Sequence, residues 1–353
     1  MTKFPDAMGH KMTEDSKPLN GGESQPAPPC WVGFDLGGTK MLASVFDQNF
    51  QKLGRAKQKS KGNEGVAAGL NRICKAIREA IDDAHVDPKQ IAGIGIGCPG
   101  PLDLKKGILK TAPNLGWSNV PIRDHLQAEF GCPVIVANDV DAGVYGEYRF
   151  GAGKNARCVV GIFPGTGVGG GCVYEGKIIQ GANCTCMEIG HLPLLPDGPL
   201  DGCNNAGSVE ALASRLTIAA AAAQAAYRGQ APSLLESCGT DIRNIRSNAI
   251  AEAAAKEKSI RLIVEHAADH LALAVVSMIH LLAPDVIVLG GGLVEAMPEL
   301  LCQRIEKSVR KRVLPTFADV FTIKIAKLGD DATACGAAAW AAQQIVPADL
   351  RPA

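Results

Sequence analysis

The sequence predicts an α/β chain of two facing domains, and three observations carry that reading. "WVGFDLGGTKMLASVFDQNF" (31–50) joins two apolar strands through a glycine turn, the pattern of a hairpin. "RCVVGIFPGTGVGGGCVYEGKIIQG" (157–181) repeats the scheme, and helical and extended patterns alternate after each hairpin, a weak internal repeat. At 353 residues the chain is also long for a single hydrophobic core. The cleft between two such domains is the default place for a ligand.

Residues 1–29 read as a tail, with five prolines, many polar residues and no apolar periodicity. They lack the continuous apolar segment of a signal peptide, and Met8 and Met12 are alternative starts. From Cys30 the pattern settles. Val66, Leu70, Ile73, Ile77 and Ile81 follow helical spacing, which predicts an amphipathic helix over 63–84. "IAGIGIG" (91–97) is a buried strand, 121–130 a short helix and "PVIVAND" (133–139) another strand. After the second hairpin comes a further turn at Glu175-Gly176, and helices dominate beyond residue 207. Strands interrupt them in "DVIVLGG" (285–291) and "FTIKIAKLG" (321–329), and a last helix spans 332–346. The most apolar stretch, "LALAVVSMIHLLAPDVIVLGGG" (271–292), is broken at Pro284-Asp285. It reads as a buried helix leading into a buried strand, not as a membrane span.

Composition narrows the function classes. Lys plus Arg (36) equals Asp plus Glu (36), so no overall basic field recommends a nucleic acid or a membrane surface. The aromatic share of 5% argues against a stacking platform for single strands. Twelve cysteines are scattered singly, mostly in apolar runs, which suits reduced thiols in a cytoplasmic protein.

"DLGGTK" (35–40) invites comparison with phosphate loops, but a strand follows it where the Walker A and dinucleotide motifs need a helix. Gly37 and Gly38 let backbone N–H groups approach an anion, and Thr39 adds a hydroxyl. Asp35 suits such a site if Mg²⁺ lies between it and the phosphate. A plain hairpin turn explains the hexapeptide equally well. The matching turn "GTGVGGG" (165–171) shifts the balance, because two such turns in two half-chains look like two sides of a phosphate clamp. "VIVLGGGL" (286–293) ends a strand in three glycines that leave room for a flat ring, and "GDDATACGAAA" (329–339) opens the last helix. Together they favour a nucleoside triphosphate over a dinucleotide.

Asn138 and Asp139 stand at a strand end where a helix begins. Capping accounts for one of them, and a base for a hydroxyl nucleophile suits the same rigid place. "MEIGH" (187–191) adds Glu188 and His191, and Glu210 follows the loop "PDGPLDGCNNAGSVE" (196–210). Donors and acceptors of these types recognise a hexose and carry no redox chemistry.

The ordered set "DLGGTK", "GIGCPGP", "NLGW", "ANDVDAGVYGE", "GTGVGGG", "EIGH" and "LGGGL" closely resembles the ROK family of sugar kinases and repressors. The likeness runs from about Val32 to the final helix. It implies an actin-like, ribonuclease-H-like fold with ATP and sugar bound between two domains. These are 30–137 with a returning helix at about 337–349, and 138–336. The resemblance makes Asp139 the catalytic base, and Asn138, Asp139, Glu188, His191 and Glu210 the sugar-binding set. Asp35, Gly37, Gly38, Thr39 and Lys40 match the first phosphate motif, with Asp35 holding Mg²⁺ through water. Thr166, Gly167, Gly169 and Gly170 match the second, and Gly290, Gly291 and Gly292 the adenosine motif. An ordinary Asp, with a pKa of about 3.9, is a weak base for an alcohol and gains force only late in phosphoryl transfer.

The implied activity is an ATP-dependent hexose kinase acting on the 6-hydroxyl of glucose. N-acetylmannosamine, N-acetylglucosamine, fructose and allose kinases share the frame. A ROK repressor carries a DNA-binding domain ahead of the first phosphate motif, whereas 34 residues without helical periodicity precede Asp35 here. A sugar sensor without turnover would not need Asp139. Members are often dimers or tetramers. Most also carry a structural zinc loop, C-x-C-G-x-x-G-C-x-E, where this chain has Asp201, Cys203, Asn204, Gly207, Ser208 and Glu210. With His191 and Cys203 alone in register, the expectation is no zinc and a loop held by Asx-type turns. Cys184 and Cys186 are the nearest thiols that could rebuild a site, and Met187 stands where a glycine is usual.

Overall fold

The computed structural model describes residues 28–182 and 186–347. Nearly all of the expected tail, Cys184 and the last residues of the returning helix lie outside that range.

The first unit runs β1 (Cys30–Leu36), β2 (Lys40–Phe46), β3 (Lys52–Lys59), α1 (Val66–Asp83) and β4 (Ile91–Cys98). A small antiparallel sheet follows: β5 (Leu102–Asp103), β6 (Ile108–Ala112) and β7 (Trp117–Val120). Then come α2 (Ile122–Phe130), β8 (Val134–Asn138) and α3 (Asp139–Phe150). The second unit begins with β9 (Cys158–Pro164), β10 (Val168–Tyr174) and β11 (Lys177–Ile178). Five helices follow: α4 (Val209–Ala213), α5 (Arg215–Tyr227), α6 (Pro232–Cys238), α7 (Ser247–Lys256) and α8 (Lys258–Leu282). The chain ends with β12 (Val286–Leu289), α9 (Gly291–Ala296), α10 (Pro298–Arg310), β13 (Thr322–Ile325) and α11 (Ala332–Ile345).

The two five-stranded sheets have one topology. Their orders are β3-β2-β1-β4-β8 and β11-β10-β9-β12-β13. In each, an antiparallel meander leads with its first strand into two parallel strands. The repeated hairpin pattern thus marks a duplicated sheet. β1 and β4 are buried almost throughout, as parallel strands covered on both faces must be. β3 escapes the sequence reading because it is an edge strand whose lysines and Arg55 dilute the alternation. Helix α1 starts at Val66 rather than 63, because Gly65 at φ 88° separates it from a short 3-10 turn. Its predicted apolar stripe is buried at Leu70, Ile73, Ile77 and Ile81.

Helices α3 and α11 pack on each other between the two sheets: α11 lies against β1 and β4, and α3 against β10 and β9. Helix α8 is the one helix among the described residues long and apolar enough to cross a membrane. It is instead half buried, with Val264, Leu271, Val275 and Ile279 in the second core.

Candidate active site

Asn138 and Asp139 stand where β8 passes into α3. Asn138 Oδ1 accepts from Val140 N at 2.9 Å and Asp141 N at 3.1 Å, so Asn138 is the N-cap and Asp139 is free of that duty. Asp139 Oδ1 accepts from Val140 N at 2.9 Å, and its carbonyl is held by Thr333 Oγ1 of α11 at 3.2 Å. Asn138, Asp141, Glu188, Gly169 and Gly170 line a cavity of about 70 Å³. Asp139 lines an adjoining space of about 200 Å³ with Phe163, Gly291 and Thr333, and Val140 borders both. Asp139 itself lines only the second space, while its neighbours Asn138 and Val140 line the first.

The carboxyls here are not ordinary acids. Burial raises the pKa of Asp139 and Glu188 adds to it, partly offset by the Val140 N–H. Asp139 therefore holds a proton more readily than the ordinary Asp of the sequence argument. Asp35 is pushed up to about 7 by burial and then by Asp139, with Lys40 opposing. Asp141 is pushed up to about 8 by burial, then by Asp139 and Glu188, and its buried Oδ1 has no hydrogen-bond partner. The sequence reading missed Asp141, because an acid in a first helical turn looks like ordinary dipole compensation.

On the other side, Thr39, Lys40, Thr166 and Gly292 line one cavity of about 870 Å³, with Arg215 and Arg246. The three glycine segments thus converge. Arg215 donates to Thr166 Oγ1 at 3.0 Å, and burial followed by the nearby Arg246 lowers its pKa. No motif pointed to these arginines. Lys40 is committed to Asp330 at 2.6 Å, with Lys57 at 3.5 Å from the same carboxylate and Lys52 at 2.5 Å from Asp331. The acids that open the last helix therefore bind lysines of the first sheet. A Cβ at Gly290 would fall 2.3 Å from the Phe163 ring, and Gly291 takes φ 78°. Gly290 thus serves packing, while Gly291 borders the space of about 200 Å³ and Gly292 the large cavity.

His191 and Glu210 do not line the compartment that holds Asn138 and Glu188. Glu210 Oε2 accepts from Val168 N at 3.2 Å, and a Cβ at Gly167 would fall 2.1 Å from that oxygen. His191 Nδ1 lies 2.8 Å from Asp201 Oδ2.

The loop at the zinc position is built around Asp201, whose side chain is fully buried. His191, Asp201 and Cys203 bring three potential ligand atoms within 4.8 Å of one another. They do not fit a structural zinc. Such sites take four ligands dominated by thiolate and imidazole, and here both Asp201 oxygens are taken by hydrogen-bond donors. Cys186 is not among the ligand atoms gathered there, and its Sγ donates to the Ile179 carbonyl at 2.8 Å. Asn204 at φ 65° holds the turn where the family pattern has glycine, a conformation that Asn tolerates. Met187, at φ 58°, occupies a left-handed position that explains the usual glycine there.

Residues 31–344 match the ROK family. The chain is 31% identical to a glucokinase of Halalkalibacterium halodurans, over 89% of this chain and 95% of that one. It superposes on the ROK family glucokinase of Streptomyces griseus, solved with glucose and AMPPNP, at a TM-score of 0.77 and 31% identity, covering 89% and 99%. It is also 26% identical to a xylose repressor of Caldicellulosiruptor bescii, over 86% of this chain and 76% of that one. Two facing sheets of one topology, with α3 and α11 between them, are the actin-like, ribonuclease-H-like fold of these kinases. The chain belongs to the ROK family.

Proposed function

We propose that this chain transfers the γ-phosphoryl group of ATP to the 6-hydroxyl of glucose. The observation that carries the reading is the place of Asp139, which lines the space reaching toward Gly291 while its neighbours Asn138 and Val140 line the compartment that holds Glu188. A base for an attacking hydroxyl belongs at that boundary. Its raised pKa suits accepting a proton as the oxygen attacks. Asn138 spends its Oδ1 on the cap and keeps its amide N–H groups for the sugar. Thr39 and Thr166, with Arg215 and Arg246, supply hydrogen-bond donors and positive potential for the phosphates in the large cavity, whereas Gly169 and Gly170 of the second motif lie in β10 and face the compartment of Asn138 and Glu188.

Asp35 is the residue that would hold Mg²⁺, through water. A buried carboxyl raised to about 7 beside Asp139 is one that a dication would ionise. Bound there, the ion would neutralise charge on the β- and γ-phosphates. Domain closure over the cleft would exclude water and limit wasteful hydrolysis of ATP. We place the domain boundary at 137/138, with the helix from about 337 returning to the first domain, and expect a dimer or tetramer.

A coupled ADP-release assay across glucose, mannose, fructose, allose and the two N-acetylhexosamines tests the substrate. Glucose is expected to give the highest kcat/KM, and preference for another sugar would overturn that choice. Asp139→Ala should lower kcat by about 10²–10⁴-fold with glucose affinity retained. Near-normal turnover would remove Asp139 from the role of base. The likeness to a xylose repressor supports a second reading, sugar-responsive DNA binding. Sequence-specific, salt-dependent affinity for duplex DNA would favour it.

A further inference from the structure

We infer that the Asp201 carboxylate does here the work that the zinc does in the family's loop: it is a positioning residue that organises the loop and sets His191 and Glu210 for the sugar. This rests on the sugar-binding reading of those two residues.

Asp201 Oδ1 accepts from Cys203 N at 2.8 Å and Asn205 N at 2.9 Å. Oδ2 accepts from Ser208 Oγ at 2.8 Å and Asn205 Nδ2 at 3.3 Å, and faces His191 Nδ1 at 2.8 Å. A tetrahedral cation gathers a loop by binding acceptors. A buried anion can gather one by binding donors, and these partners are donors: backbone N–H, amide and hydroxyl. The exchange fits the substitutions. Asp201 and Ser208 stand at two of the family's cysteine positions, and here they bond each other.

Two consequences reach the site. An ionised carboxylate only accepts, so His191 Nδ1 must carry the proton, and in the neutral ring Nε2 is then an acceptor. Ser208 uses its hydroxyl hydrogen on Asp201 while its oxygen caps α4 by accepting from Ala211 N at 3.2 Å. Glu210 lies in the first turn of that helix and accepts from Val168 N. One carboxylate therefore fixes the tautomer of one proposed sugar ligand and the helix start that carries the other.

The test compares the wild type with D201N and D201C/S208C, purified without chelators. Three readouts apply: zinc content, glucose and AMPPNP affinity by calorimetry, and the ¹⁵N shifts of the His191 ring. The wild type should hold no stoichiometric zinc and show Nδ1–H imidazole. D201N keeps the side chain's shape but can offer His191 an N–H. It should lose about tenfold in glucose affinity, with a changed His191 tautomer balance and AMPPNP affinity within about twofold. D201C/S208C should take up about one zinc per chain and bind glucose in a zinc-dependent manner. Should D201N fail to fold, the double variant and the wild-type imidazole shifts still decide. Stoichiometric zinc in the wild type, an unprotonated Nδ1, or zinc uptake without recovery of glucose binding would each overturn the proposal. So would a D201N protein unchanged in both tautomer and glucose affinity. Absence of glucose binding in the wild type would instead refute the substrate reading, and the zinc and imidazole measurements would still judge Asp201.

Discussion

Asp201 and Asp141 are both buried, at 8% and 5% exposure, yet they are opposite kinds of carboxyl group. Burial works against ionising Asp201, but the Asn205 N–H, His191, Ser208 and the Cys203 N–H outweigh it and hold its pKa well below the usual range. Asp141 meets the same burial with no donor on Oδ1 and two acids nearby, and it rises to about 8. Burial alone therefore does not decide charge; the supply of donors does. The loop carboxylate has its donors built in. Asp141 Oδ1 does not, as expected of a group beside a space that a ligand fills.

The comparison breaks first at Asp141. Its folded pKa lies above the unfolded value of about 3.9, so its contribution is fully present below that pH. Stability is then lost as pH rises from about 4 until the folded pKa near 8 is passed. Asp141→Asn removes that loss while keeping the shape. The stability difference between variant and wild type should widen between pH 5 and pH 8, by up to about 1.4 kcal/mol per pH unit. Chemical denaturation at several pH values measures it, and parallel curves would show that Asp141 ionises freely. Asp201 has the opposite sign. Its folded pKa is depressed, so its stabilisation is present above the unfolded value and disappears as pH falls below it.

Much of this was legible from the chain. The duplicated hairpins gave the duplicated sheets because parallel strands covered on both faces leave long apolar runs. Asn138 as a cap and the convergence of Thr39, Thr166 and Gly292 also follow from local pattern. Three features were hidden for physical reasons. The edge strand β3 carries charges that disguise alternation. Asp141 differs from any helix-start acid only by what surrounds it in space. Asp201 could be recognised as a lost cysteine and its bonds to the N–H groups of 203 and 205 as the expected Asx-type turns, but the donors from residues 191 and 208 meet it only in the fold.

The same contrast between satisfied and waiting charge applies to the cations, and there the expected effect is smaller. Lys40 already has Asp330, whereas Arg215 and Arg246 face the large cavity and make no ion pair among the described residues. Two guanidiniums close enough for one to lower the other's pKa would gain from an anion between them. Arg215→Ala should raise the KM for ATP by about tenfold, the equivalent of about 1.4 kcal/mol, and leave the KM for glucose nearly unchanged. Lys40→Ala should change it less, because a phosphate must compete with Asp330 for that ammonium. Initial-rate kinetics at varied ATP and saturating glucose decide the order. If Lys40→Ala proves the more damaging, the Asp330 pair opens when nucleotide binds, and the built-in partner marks the resting state of a phosphate ligand instead of a structural tie.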